Sequence, residues 1–251
     1  MQHNTLPLNN KTVLITGGAK RIGAEVTRRL HREGFNIVLH FRNSKSDAVG
    51  LATELNDQRA DSVRVVQADL SDNASVPILV DKTLDFFGNL DVLINNASSF
   101  YPTPLGQITD VDWEDLFASN LKAPLFLSQA AIKALRQTRG IIINMVDIHA
   151  KQPLRKHSVY CAAKAGLLML TKSLAQELAP EIRVNAIAPG PILWPEQDYD
   201  ANLKDKVINA TALKRMGHPK DIAEGILYLI ADGAYVTGQC IAIDGGRSVG
   251  W

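Results

Sequence analysis

Tyr160 and Lys164 stand four residues apart in "SVYCAAK", and Asp147 closes an apolar run thirteen residues before the tyrosine. Side chains at i and i+4 share one face of a helix, so the tyrosine and lysine can act as a unit. An ammonium beside a phenol stabilises tyrosinate and draws the tyrosine pKa toward working pH, which suits it to proton transfer. The carboxylate is unexpected company. A neutral hydroxyl is the natural helper for a tyrosine that protonates a carbonyl oxygen, so Asp147 raises the question of which bond receives the proton.

A second set of residues suits phosphate. An apolar run ends in "TGGAKRIG", where Gly17 and Gly23 permit a tight turn that brings backbone N–H groups to a pyrophosphate at a helix N-terminus. Lys20, Arg21 and Ile22 lie within that turn, and its spacing is not the six-residue GxGxxG. The next apolar run ends "LHFRNS", presenting His40, Arg42, Asn43 and Ser44 with no acid. An NAD site wants a carboxylate about 20 residues past the glycines to accept from the ribose 2′-OH. A cation and a hydroxyl instead fit a dianionic 2′-phosphate, which takes charge-assisted hydrogen bonds. This predicts NADPH. Asp69 and Leu70 close the third run where adenine should lie, and "NNAS", with Asn96, Ala97 and Ser98, closes the fourth beneath the nicotinamide half.

These groups need a scaffold that gathers strand ends on one edge. Seven apolar, β-branched runs (12–18, 35–41, 62–70, 90–98, 140–147, 182–190 and 238–246) alternate with helix-like segments. Near-continuous apolar strands are buried on both faces, which predicts a parallel sheet with helices packed on each side. The expected fold is therefore α/β: a doubly wound, Rossmann-like seven-stranded sheet in a single domain over residues 1–251. The longest irregular region, 190–219, follows the sixth run and is expected to hang over the carboxyl edge as a substrate loop or lid around Trp194.

Composition narrows the function classes. With 46% hydrophobic residues in a 251-residue chain a sizeable core can form, and a formal net charge of +1 gives no bulk attraction to nucleic acid or membrane. The two cysteines, Cys161 and Cys240, form neither a CxxC pair nor a metal-ligand cluster. No metal is expected, and a reduced cytoplasmic setting is. The start has no basic then apolar leader pattern, and no apolar run approaches the roughly 18 residues of a membrane span.

In series, TGGxxxxG at 16–23, Asp69, "NNAS", Asn120, YxxxK at 160–164 and Pro189-Gly190 resemble the short-chain dehydrogenase/reductase family from end to end. More narrowly, "GGAKRIG", "NNASSFYPTPL" and "MVD" followed through "QPL" by the tyrosine resemble its pteridine reductases. The resemblance implies NADPH use, a homotetramer, a pterin or folate substrate, and a lysine that also holds the nicotinamide ribose. It implies that Asn120 orders a water chain behind Lys164. It further implies that Phe100 stacks on a flat pterin, Ser98 binds its polar edge, and Arg21 bridges cofactor phosphate and pterin carbonyl. His157 stands where some relatives carry a tyrosine near the pterin.

The resemblance also answers for Asp147. Carbonyl-reducing relatives carry a serine there, against an oxygen that gathers negative charge. A carboxylate about 4 Å from that oxygen would cost about 4 kcal/mol at an effective dielectric near 20, on the order of a thousandfold in rate. A ring C=N bond needs a proton at nitrogen instead, which an Asp147–Tyr160 pair can help supply. Two alternatives stay open: a carbonyl (3-oxoacyl-type) reductase, and a non-catalytic NADP(H)-sensing protein. The terminal "DGGRSVGW" is expected to cross a subunit interface and bring Arg247 or Trp251 near a neighbour's pterin pocket.

Overall fold

The computed structural model describes residues 8–194 and 201–249. All seven expected strands form, each shorter than its apolar run: β1 (Thr12–Ile15), β2 (Asn36–Phe41), β3 (Val63–Gln67), β4 (Val92–Asn95), β5 (Ile141–Met145), β6 (Arg183–Pro189) and β7 (Cys240–Ile243). They make one parallel sheet in the order β3-β2-β1-β4-β5-β6-β7. In six of the seven, all but β2, part of the excess lies past the strand, where the chain turns at the carboxyl edge.

Alternate side chains of each strand go to opposite faces, and the two faces fill with different helices. Val13, Ile15, Ile37, Leu39 and Ile94 pack with Val26 and Leu30 of α1 (Arg21–Arg32), Leu51 and Leu55 of α2 (Lys45–Gln58), and Ile222 and Ile226 of α8 (Pro219–Ala231). Leu14, Val38, Leu93 and Ile142 pack with Leu79 of α3 (Ser75–Phe87), Leu127 and Leu135 of α5 (Ala123–Thr138), and Leu174 of α6 (Ser158–Leu178). Each such side chain, once buried, contributes about 1.5–3 kcal/mol. Leu93 is fully buried, so Leu93→Ala should cost about 2–5 kcal/mol.

Between α3 and α5 the chain runs through β4, whose end leads into the loop before α4 (Asp110–Phe117). A reciprocal Thr109–Asp112 capping box starts α4. Residues Ala118–Lys122, between α4 and α5, form a π-helical turn. The region 190–219 is not wholly irregular: α7 (Ala201–Asn209) lies in it, while residues 195–200 fall outside the described ones.

After β3 the chain returns to the far side of β1 to lay down β4, so the order reverses between β1 and β4. At such a switch point the loops leaving the two strands diverge and open a crevice at their carboxyl ends. Because all seven strands are parallel, every residue singled out above at a strand end lies along that edge.

Candidate active site

Two glycines shape the turn after β1. Gly17 has φ +60°, and a Cβ there would come 3.0 Å from the Ala97 Cα; one on Gly23 would meet the Gly17 carbonyl oxygen at 2.4 Å. The strand-end "NNAS" knits this turn together. Asn96 Nδ2 donates to the carbonyls of Thr16 and Gly17, each at 2.9 Å, while Thr16 Oγ1 accepts from the amides of Asn96 and Ala97. Helix α1 then starts at Lys20 with no side-chain cap and no acid in its first turn, so the positive end of its dipole is offered to an anion. Lys20 itself pairs with Asp47 at 3.1 Å, and Ile22 packs against the core. Arg21 holds a left-handed φ of +52° and donates to the Trp194 carbonyl at 3.1 Å. It therefore ties the glycine turn to the segment after β6.

At the end of β2, Arg42 is exposed and its guanidinium approaches Asp115 at 3.9 Å. Asn43 is exposed beside it, and Ser44 is the N-cap of α2 without a side-chain cap bond. Unlike α1, this helix carries an acid, Asp47, in its first turn, and that acid is paired with Lys20. His40 departs from the expectation. It is 2% exposed, Nδ1 accepts from the Gly17 amide at 3.3 Å, and Nε2 donates to the Ala68 carbonyl at 3.0 Å. With both ring nitrogens engaged inside the protein, the imidazole has no edge left for a 2′-phosphate. Asp69 is exposed at the next strand end and its Oδ1 accepts from Ser71 N and Oγ, which holds its carboxyl below the usual range; Leu70 is buried beside it.

Asp147 leaves β5 and caps the short 3₁₀ turn Ile148–Ala150, its Oδ1 accepting from the His149 amide at 2.8 Å. Its other oxygen accepts from the Tyr160 hydroxyl at 2.8 Å. Lys164 is 2% exposed; its Nζ donates to the Met145 carbonyl at 2.8 Å and lies 5.7 Å from the Tyr160 ring centroid. Burial pulls the Lys164 pKa down to about 8, against the attraction of Asp147. The expectation that Tyr160 titrates toward working pH is reversed. Desolvation first, then the charge of Asp147 and its hydrogen bond, push the phenol well above its ordinary value. The carboxylate sits on the hydroxyl, whereas the ammonium is engaged with a main-chain carbonyl.

Asn120 lies inside the π-helical turn, fully buried. Such bulges recur at functional sites because they turn a side chain out of the regular ladder. Its Nδ2 donates to the carbonyls of Ser99 and Leu116, each at 2.9 Å, and its Oδ1 has no partner among the described residues. A buried acceptor of this kind costs about 1–3 kcal/mol unless something satisfies it, and water is the usual answer.

Phe100 is 46% exposed, so it is not core filler. Its ring stacks on His157 with centroids 4.8 Å apart and meets Tyr160 edge-on, also at 4.8 Å. His157 Nδ1 bonds the Arg155 carbonyl. Ser98 is exposed near Phe100 at the end of β4. Pro189 ends β6 and Gly190 follows it, where a Cβ on Gly190 would meet the Asp244 Cβ at 2.4 Å. In the tail, Arg247 donates to the Ala210 carbonyl of its own chain at 3.4 Å, and Trp251 lies outside the described residues.

Sequence reasoning missed the amides beneath the site. Asn95 and Asn144 face each other in register, Asn95 Nδ2 donating to Asn144 Oδ1 at 2.8 Å, and Asn144 Nδ2 donates to Thr171 Oγ1 at 2.9 Å. This buried chain links β4 and β5, which lead into the segments bearing Phe100 and Asp147, with α6, which carries Tyr160. The signal was an asparagine at or next to the end of each of two otherwise apolar strands, "VLIN" and "IIINM". Among the described residues no group of His, Cys, Asp or Glu could hold a metal ion, and no helix is long and apolar enough to cross a membrane.

Comparison with known proteins fits this geometry. The profile of a family described as enoyl-(acyl carrier protein) reductase matches residues 17–248. Pteridine reductase 1 of Leishmania tarentolae is 37% identical, over 94% of this chain and 96% of its own. The 3-oxoacyl-[acyl-carrier-protein] reductase FabG of Staphylococcus aureus is 35% identical, over 94% and 97%. Among solved structures, a Serratia marcescens short-chain dehydrogenase/reductase superposes with a TM-score of 0.91 at 30% identity, covering 97% of this chain and 100% of that one. A blue fluorescent protein from a metagenomic library, in complex with NADPH, gives 0.90 at 34% identity, covering 96% and 99%.

Proposed function

The chain belongs to the short-chain dehydrogenase/reductase family of NAD(P)-dependent oxidoreductases, and from that premise we propose that it is an NADPH-dependent pteridine reductase acting on a ring C=N bond. The observation that carries the proposal is the hydrogen bond from Tyr160 to the Asp147 carboxylate.

The residues present fit the cofactor. The glycine turn and the uncapped start of α1 would hold the pyrophosphate, and Arg42 and Ser44 the 2′-phosphate, with Asn43 beside them. Asp69 and Leu70 would flank the adenine. Asn96, Ala97 and Ser98, with Pro189 and Gly190, would line the nicotinamide end, and Lys164 would hold its ribose. When bound, NADPH supplies the hydride.

The chain's own residues supply the proton. Burial and the adjacent carboxylate keep Tyr160 protonated, so it is a donor held in reserve. As a C=N bond is reduced, its π pair moves to nitrogen, and that nitrogen takes the tyrosine proton. A tyrosinate left 2.8 Å from the Asp147 carboxylate would be costly, and the Lys164 ammonium offsets that charge until a proton returns to the phenol. A water on the orphaned Asn120 oxygen would return a proton from the side of Lys164. The half-exposed Phe100 ring offers a flat apolar wall for a pterin, with Ser98, Arg21, His157 and Trp194 around it. The same proposal takes residues 1–251 as one domain and the working form as a cytoplasmic homotetramer acting on dihydrobiopterin, dihydromonapterin or dihydrofolate.

The likeness to the staphylococcal reductase favours a second reading, reduction of a 3-oxoacyl thioester. Asp147 opposes it, since the carboxylate would face a developing oxyanion. Mixing the protein with NADPH and a panel of oxidised and dihydro pterins, and separately with a 3-oxoacyl thioester, decides between them by loss of cofactor absorbance. Pterin turnover alone supports the proposal; thioester turnover alone overturns it; and turnover of neither leaves a dinucleotide-binding protein without this chemistry, which also overturns it.

A further inference from the structure

The geometry around His40 fixes its tautomer. A backbone amide can only donate and a backbone carbonyl can only accept. The Gly17 amide therefore requires an unprotonated Nδ1, and the Ala68 carbonyl requires the proton on Nε2. The same residue's carbonyl accepts from the Gly18 amide at 3.2 Å. From the opposite side, Asn96 holds the Gly17 carbonyl. One imidazole thus spans from the glycine turn to the end of β3, immediately before Asp69, and its ring is removed from solvent.

We propose that His40 is a positioning residue for the dinucleotide site: its neutral imidazole sets the separation between the glycine turn and the end of β3 without touching the cofactor. This rests on the NADPH reading above. The turn is the wall that would receive the pyrophosphate, and the β3 end is the wall that would flank the adenine. An imidazolium would point a second N–H at the Gly17 amide, donor against donor. Burial holds the ring neutral, below the usual histidine range; of the charged neighbours, Asp69 opposes that effect and Arg42 reinforces it.

Three variants separate the two bonds. His40→Asn keeps an acceptor near the Nδ1 position but falls short of Ala68. His40→Gln reaches Ala68 with a donor and loses Gly17. His40→Leu loses both. Dissociation constants for NADPH and NADH should rise together in the leucine variant, each by about tenfold for the loss of two buried hydrogen bonds. Asn and Gln should fall between, with kcat at saturating cofactor within about twofold of wild type, as for a loss of uniform binding. Amide exchange at Gly17 in the cofactor-free protein should quicken in the Gln and Leu variants and stay slow in the Asn variant. Weakening of NADPH alone would show that His40 touches the 2′-phosphate and would overturn the proposal. So would unchanged affinities, or unchanged Gly17 exchange in His40→Leu. A wild type that binds neither dinucleotide overturns the cofactor reading, and the exchange measurement then still decides the role of His40.

Discussion

The Tyr160 hydroxyl donates to Oδ2 of Asp147 over 2.8 Å, while Oδ1 of the same carboxylate caps the following 3₁₀ turn. Both oxygens of Asp147 are thus committed, one to holding the chain and one to the phenol. The cap fixes the orientation in which the carboxylate meets the tyrosine.

Replacing Asp147 by Ser therefore separates chemistry from folding, because serine retains the capping role. In Asp147→Ser, kcat for a dihydropterin should fall about a hundredfold, the scale of general acid catalysis. The dissociation constant for NADPH should stay as in wild type. Steady-state kinetics with a parallel NADPH titration checks this; full pterin turnover in the variant would refute the proton-supply role.

Lys164 gives the pH dependence a sign. Its ammonium neutralises the tyrosinate left after proton transfer, and with a pKa of about 8 it loses that charge as pH rises. The kcat should fall as pH rises through about 8. Stability should move the other way. The folded-state pKa lies below the ordinary 10.5, so between these values the unfolded chain binds more protons and stability rises with pH. Relative to Lys164→Met, the wild type should gain on the order of 2 kcal/mol between roughly pH 7 and pH 10. Denaturant unfolding of both proteins at the two pH values measures it.

Cofactor choice should rest on Arg42. An exposed guanidinium at the end of β2 suits a 2′-phosphate, and Arg42→Asp would repel that phosphate yet accept from a 2′-hydroxyl. The ratio of kcat/KM for NADPH over NADH should drop at least about tenfold, the value of one charge-assisted hydrogen bond. An unaltered ratio removes Arg42 from the site. His40→Leu should leave this ratio unchanged, so the two positions are told apart by one assay.

Phe100→Ala should raise KM for pterin about tenfold, from lost stacking and apolar contact, with NADPH binding preserved. The ring is half exposed and stacked only at the site's mouth, so the change should lower Tm by little. Comparing pterin KM and melting temperature of variant and wild type tests both statements; equal pterin KM would place the substrate elsewhere.

The seven strands, the glycine turn and the Tyr160–Lys164 face were legible in the sequence because each depends on neighbours along the chain. Apolar runs become strands through local propensity and burial, and two residues four apart share a helix face wherever that helix lies. Alternation of strands with helices also predicted a parallel, doubly wound sheet, whereas the order of its strands came from the structure. That a carboxylate stood in line with the tyrosine was also readable, thirteen residues upstream.

What the tertiary structure alone decided was which atoms meet. His40 looked like a phosphate ligand until its ring was seen between Gly17 and Ala68, residues 23 and 28 positions away. Lys164 was expected to set the tyrosine pKa, but the buried ammonium engages the Met145 carbonyl while Asp147 occupies the hydroxyl. Asn120 owes its orphaned oxygen to a π-helical turn that no local pattern announced. Hydrogen-bond partners and proton affinities depend on which groups the folded chain shuts away from water together. Sequence spacing specifies the elements; exclusion of solvent between distant elements specifies the charges and tautomers at their meeting point.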